Sequence, residues 1–231
     1  MLSRSQARAF FVVGTTLSVL SFLLLTADTF ARVPGQTRER NLSPAAIRGK
    51  HLFDRKNCMG CHTIFGEGAY YAPELTRVYE RRGPTFIKAM LRDPEAMYPG
   101  QRRMWQYDFT EAEIDDLVAF LAWIGEVDLN GFPPRPPLAA PAPAVATNGA
   151  PRPEIFGQLC TACHQLGGQG GTVGPALDDV GSRLTHDRFV VWLRDPAAVK
   201  PGTAMPKLPL TEPQIEELAA FLATQKSGGQ P

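Results

Sequence analysis

The pentapeptide Cys58-Met59-Gly60-Cys61-His62 returns 102 residues later as Cys160-Thr161-Ala162-Cys163-His164. Two thiols at this spacing can each form a thioether to one vinyl group of a haem, and the adjoining His then lies beneath the iron as its proximal ligand. A chain so constrained must fold twice around a flat, apolar, covalently held disc. The motifs use all four cysteines, leaving none for a structural disulfide. A zinc site would draw its Cys pairs together from about 15–20 residues apart; these lie about a hundred apart, each followed at once by His. No βαβ pattern surrounds either motif, which argues against a thioredoxin-like redox pair. The reading is two covalently bound haem c groups, one on Cys58 and Cys61 with His62 on the iron, the other on Cys160 and Cys163 with His164.

The repeat extends well beyond the cysteines. At the same offset Pro73-Glu74-Leu75 meets Pro175-Ala176-Leu177, Leu91-Arg92-Asp93-Pro94 meets Leu193-Arg194-Asp195-Pro196, and Pro99-Gly100 meets Pro201-Gly202. After a one-residue gap Thr110-Glu111 meets Thr211-Glu212, and Phe120-Leu121-Ala122 meets Phe221-Leu222-Ala223. This is a duplicated domain rather than a repeat array. It also selects the sixth iron ligand. Met205 is the one Met after the second motif, and across the gap it aligns with Met104, whereas Met90 falls on Trp192 and Met97 on Val199. Met104 and Met205 are therefore the candidate distal ligands, and Met90 and Met97 read as core. A thioether ligand raises the haem potential, and an iron with both axial positions filled passes electrons rather than binding substrate. Pro73 and Pro175 are placed to offer a carbonyl to the Nδ1–H of each His, fixing the ring; a plain turn is the alternative.

Helical signals flank each motif. Ser43-Pro44 reads as an N-cap and first helical residue, with the helix running through Ile47, Leu52 and Phe53 into the first motif. Thr110 with Glu113 forms a capping box ahead of Ile114, Leu117, Val118 and Leu121, with Gly125 as a stop. Thr211 with Gln214 repeats the device ahead of Ile215, Leu218 and Leu222. No run alternates as a sheet would. Domains this small bury little core of their own, so the haem is expected to supply the apolar centre of each.

Ala9 to Ala27 is a 19-residue stretch without charge, long enough to span a bilayer. Arg4 and Arg8 precede it, which puts the N-terminus in the cytoplasm by the positive-inside rule and the rest outside. A cleaved signal peptide is the rival reading, but the apolar run is long for one and the cleavage sequences are poor. From Gly131 to Pro153 the composition turns to Pro and Ala, a semi-rigid tether reaching up to roughly 70 Å at about 3.1 Å per residue. The second domain either swings on this tether or packs beside the first. Residues 1–43 carry +3, 44–130 −2, 131–150 +1 and 151–231 −1. No basic stripe points to nucleic acid, and no strong field names a redox partner by sign. His51 and His186 read as surface or packing residues, with an approach to a haem edge as the alternative; Tyr70, Tyr71 and Trp105 read as packing, with an electron path to the haem edge as the alternative; Arg102 and Arg103 read either as propionate partners or as solvated charge.

The run from Cys61 to Leu75, Cys-His-Thr-Ile-Phe-Gly-Glu-Gly-Ala-Tyr-Tyr-Ala-Pro-Glu-Leu, resembles the haem-site sequence of the cytochrome c subunit of bacterial nitric oxide reductase. Arg81-Arg82-Gly83, Gly100-Gln101-Arg102-Arg103-Met104 and Phe109-Thr110-Glu111 extend the resemblance, as does the N-terminal apolar helix, over residues 8–137. It implies a single-pass subunit of the inner, cytoplasmic membrane, its haem domain periplasmic and ligated by His62 and Met104. Such a subunit relays electrons to a large membrane subunit holding haems b and a non-haem iron, where two NO become N₂O. The chain departs from the family pattern in having Trp105 where Pro usually follows the Met, and in its second domain, which resembles a generic class I cytochrome c. The expected fold is all-α, an N-terminal transmembrane helix followed by two tandem class I cytochrome c domains. The boundaries are 1–43 for tip, anchor and connector, 44–130 for the first haem domain, 131–153 for the linker, 154–225 for the second haem domain and 226–231 for a tail. Electrons would pass from a soluble or membrane donor to the second haem, then the first, then the catalytic subunit. An oxygen-reducing haem–copper oxidase partner or a free-standing tethered shuttle shares every feature but the resemblance. A catalytic dihaem protein such as a peroxidase would need one Met not to be a ligand.

Overall fold

The apolar N-terminal stretch forms the middle of a 33-residue helix, α1 (Arg4–Gln36), none of whose residues is buried. A computed structural model of the chain describes residues 3–100, 103–131 and 151–226. α1 starts on a capping box, the Ser3 side chain accepting from the Gln6 N–H while the Gln6 side chain accepts from the Ser3 N–H. It is longer at both ends than the uncharged run that announces it. Its far end is joined to the first domain: the Asp128 N–H donates to the Gln36 carbonyl at 2.8 Å, the Trp123 indole to the Arg38 carbonyl at 3.4 Å, and the Asn41 amide to Glu126 at 2.6 Å.

The first half continues with α2 (Pro44–Arg55), a two-residue hairpin β1 (Thr63–Ile64) and β2 (Glu67–Gly68), then α3 (Val78–Arg92), α4 (Pro94–Met97) and α5 (Glu111–Glu126). The second half has α6 (Glu154–Leu159), the hairpin β3 (Gln165–Leu166) and β4 (Gln169–Gly170), then α7 (Val180–Arg183), α8 (His186–Arg194), α9 (Pro196–Val199) and α10 (Glu212–Ala223). Among the described residues the regular structure is helical apart from those hairpins, which no alternation in the sequence announces. Their signal is the turn: Phe65-Gly66 and Gly167-Gly168 all take positive φ, the two-residue connection whose twist suits a hairpin. α3 corresponds to α7 and α8 together. It is bent at Gly83 (φ 68°, ψ 168°), ahead of Pro84, which lacks the N–H that a continuous helix requires.

In the first domain α2 crosses α5 at Gly49, with Phe53 and Phe120 in contact at 5.4 Å and Leu52, Ile114, Leu117 and Ile124 buried between. In the second, α6 meets α10 through Phe156 and Phe221, centroids 5.1 Å apart. The caps on Ser43, Thr110 and Thr211 form as their sequences require. Gly125 is not a stop: α5 runs one residue further and ends where Val127 turns extended, and the Gly125 carbonyl accepts from the Arg77 guanidinium at 2.9 Å.

The repeated Leu-Arg-Asp-Pro also acquires a reason. Asp93 and Asp195 cap α4 and α9, each accepting from the N–H three residues on. Arg92 makes two hydrogen bonds to Glu111 (2.8 and 2.6 Å), and Arg194 two to Glu212 (3.1 and 2.5 Å). Each guanidinium holds its glutamate below the usual carboxylate range. Each bridge closes the base of the loop that carries Met104 or Met205. Of the Pro/Ala-rich segment, only Gly131 and residues 151–153 fall among the described residues.

Candidate haem sites

Both motifs fold as 3₁₀ turns, Cys58–Gly60 and Cys160–Ala162, each closed by the His N–H donating to the first Cys carbonyl at 2.9 Å. Asn57 in the left-handed region (φ 52°) leads into the first turn. The hairpin then folds back over the His. A Cβ on Gly68 (φ 117°) would stand 2.2 Å from the His62 carbonyl, and one on Gly170 (φ 121°) 2.1 Å from that of His164, so both positions need glycine. The prolines act as expected. His62 Nδ1 lies 2.7 Å from the Pro73 carbonyl, and His164 Nδ1 lies 2.8 Å from that of Pro175. A proton held on Nδ1 by that bond leaves the Nε2 lone pair for a metal.

In the first domain Cys58, His62 and Met104 line one cleft, walled by Phe53, Leu91 and Leu117. Tyr107 and Phe109 close its rim, stacked at 5.1 Å beneath the Lys56 ammonium. In the second, Cys160 is buried in the apolar core and Met205 packs half-buried against the same cluster. The Trp192 indole N–H donates to the Met205 sulfur at 3.0 Å. The sequence alignment gives no sign of this bond, since it sets Trp192 opposite Met90. Met97 is buried and Met90 half-buried, both in the packing of the second domain's core, in keeping with the core role read for them.

Burial pushes the Cys58 thiol up to about 11 and the Cys160 thiol up to about 12, with the neighbouring Cys of each pair adding to it. Such thiols are protonated at neutral pH, unlike the thiolate of a redox-active pair. Among the described residues no three His, Cys, Asp or Glu side chains gather as a metal cluster. The donor set fits haem c: unpaired thiols at the attachment spacing, a His free at Nε2, and in the first cleft a thioether across apolar walls.

Other expectations need correction or stay open. Tyr70, Tyr71 and Trp105 are not core residues: they are 86%, 58% and 78% exposed, on the loops that also carry Leu75 and Met104 of the first cleft. Arg103 is paired with Glu95, and Arg102 lies outside the described residues. His51 is exposed on α2, and His186 lies 3.3 Å from both Asp187 and Glu216.

A hydrogen bond to the Met205 sulfur draws electron density from it, which disfavours the ferric state of an iron it ligates. Trp192→Phe is therefore expected to lower the midpoint potential of a haem ligated by Met205 and to leave that of one ligated by Met104 unmoved in a potentiometric titration. Two unmoved midpoints would mean that the indole does not tune the sulfur.

The sequence model of the cytochrome c family matches residues 46–125 and 153–226. The chain belongs to this family, whose haem c is covalently bound. Its particular branch is that of the C subunit of nitric oxide reductase. It is 37% identical over 138 residues to that protein of Stutzerimonas stutzeri, covering 58% of this chain and 94% of the relative. It is 36% identical over 144 residues to that of Halomonas halodenitrificans, with 58% and 96% covered. A shorter likeness, 34% over 76 residues, is to cytochrome c oxidase subunit 2 of Alkalihalophilus pseudofirmus, covering 29% of this chain and 22% of that protein.

Proposed function

We propose that this chain is a membrane-anchored dihaem cytochrome c that delivers electrons to the catalytic subunit of a nitric oxide reductase. The observation that carries the proposal is the extent of the likeness to the nitric oxide reductase C subunits, nearly the whole length of those relatives. The 58% of this chain that it takes up is close in length to the anchor plus first domain, leaving room for the second domain as an addition. Haem c, once held, supplies reversible one-electron chemistry at its iron. Cys58, Cys61, Cys160 and Cys163 would hold it by thioethers; His62 and His164, oriented by the Pro73 and Pro175 carbonyls, and Met104 and Met205 would ligate its iron. An iron ligated by both His and Met would have no open position for substrate, so this chain would pass electrons and NO reduction would belong to its partner.

α1, the one helix among the described residues long and apolar enough to cross a membrane, is the anchor. Arg4 and Arg8 orient it with both haem domains on the periplasmic face of the inner membrane. The first domain is the electron exit. Tyr70, Tyr71 and Trp105 offer exposed aromatic surface beside its haem, whereas Thr172, Val173 and Pro206 stand at the matching places of the second domain. The second domain then receives electrons from a donor. A partner that reduces oxygen is the second reading, favoured by the likeness to cytochrome c oxidase subunit 2.

The test is NO consumption by the detergent-solubilised complex that co-purifies with this chain, supplied with a reduced donor. N₂O formation with a haem b subunit present is expected. Oxygen reduction without NO turnover, by a complex with its haems loaded, would transfer the assignment to an oxidase.

A further inference from the structure

The second domain is built short. Its N-terminal helix α6 has six residues where α2 has twelve, and the core that α6 leaves uncovered is not open. Phe86 of α3 and Met97 of α4, 8% and 6% exposed, belong to the same buried cluster as Phe156, Leu159, Cys160 and Phe221, and Ala89, Met90 and Tyr98 pack against it. The polar contacts agree. Arg82 donates to the Thr161 hydroxyl, inside the second Cys-x-x-Cys-His, at 3.2 Å, and its guanidinium lies 5.3 Å from the centre of the Phe86 ring. Gly83, at the bend of α3, comes so close that a Cβ there would meet the Gln158 amide at 2.4 Å. Meanwhile Ile87 and Leu91 of the same helix face the first domain's core and haem cleft.

Resting on the dihaem reading, we infer that the first domain completes the second haem site. α3 is a wall common to both sites, and Arg82, Phe86, Met97 and Tyr98 cover the Cys160–Cys163 side of the second motif. The two domains therefore work docked, and the second does not swing away from the first. Arg82 is a positioning residue with an electrostatic reach: a fixed cation beside the second motif favours the state of that haem with one positive charge fewer.

The test uses the full haem-loaded chain in detergent. Hydrogen exchange over the peptide 157–165 is expected to be slow in the wild type and at least about tenfold faster in Phe86→Ser, with exchange in α2 and α5 unchanged. Arg82→Glu reverses a half-exposed charge and should leave the fold intact. It is expected to lower the midpoint of one haem, the one that Met205→Ala also displaces, with Arg82→Lys lying between Arg82→Glu and wild type. Unchanged exchange in Phe86→Ser together with unmoved midpoints in Arg82→Glu would overturn the inference. One haem per chain by pyridine haemochrome assay would sink the dihaem reading instead. The exchange measurement needs only the folded chain, and it then still decides whether the first domain covers the second motif.

Discussion

Met205→Ala is expected to leave the chain folded with both haems attached, while the second iron loses its sixth ligand. The side chain is half-buried on a loop, so its removal opens little core; attachment depends on Cys160 and Cys163, and His164 stays fixed by Pro175. What changes is the iron. The weak long-red absorption that marks methionine bound to ferric haem should fall by about half relative to the wild type. The midpoint of that haem should drop by a substantial part of the ~0.8 V range that axial ligands span, and the ferrous protein should bind carbon monoxide. Met104→Ala is expected to do the same at the first haem, where Met104 and His62 line one cleft despite the Trp that follows the Met. A variant that keeps the full long-red band and both midpoints would remove that methionine from the ligand set and revive the reading of a haem with an open position.

The largest effect on stability is expected from Gly49→Ala. α2 and α5 meet here with no side chain between them: a Cβ on Gly49 would lie 2.0 Å from the Asp116 carbonyl oxygen and 2.8 Å from the Phe120 Cβ. Backbone cannot step aside as a flexible side chain can, so the helices must part. Parting them loosens Phe53 against Phe120 and the Ile114–Leu117 layer, and pulls at the ion pair between Arg48 and Asp116 (2.6 Å). Overpacking of this kind costs about 1–3 kcal/mol, which in a domain of this size lowers the melting temperature by roughly 5–20 °C. The loss should appear in the unfolding of the first domain, read at its Trp123 fluorescence. A melting curve that coincides with the wild type would mean that the helices do not cross at this glycine.

Much of both sites is legible in the sequence because covalent chemistry fixes spacing. Thiols and imidazole within five residues admit few geometries, and a carbonyl eleven residues on can meet the ring only through a turn, which Pro73 and Pro175 announce. Helix caps are local as well, so Ser43, Thr110 and Thr211 form as their neighbours dictate. The duplication compares one copy with the other and selects Met104 and Met205. What escapes is whatever depends on two distant surfaces meeting. Gly49 has no local reason to be glycine; its reason is Asp116. Trp192 reads as one more apolar residue of α8 until the loop brings the Met205 sulfur to its indole. The exposure of Tyr70, Tyr71 and Trp105 is of the same kind, since whether an aromatic in a loop is buried depends on which distant surfaces reach it. The hairpins escape for a different reason: two-residue strands carry no alternation, and their glycine turns are the available sign.

The join between α1 and the end of α5 has a geometric consequence. At 1.5 Å per residue the uncharged stretch accounts for about 28 Å, close to the ~30 Å of a hydrocarbon core. The nine residues from Asp28 to Gln36 add roughly 13 Å, somewhat more than the ~5–8 Å of one headgroup layer. With α1 as the proposed anchor, the first domain would stand just clear of the lipid surface, on a helix whose last turns carry Pro34 and whose end is tied to the first domain by three hydrogen bonds. Such an anchor would fix its altitude, so that finding a partner in the same membrane would become a planar search: sliding sideways and turning about one axis, with tumbling removed. On that reading a partner's electron-accepting surface would have to wait within that thin layer above the bilayer.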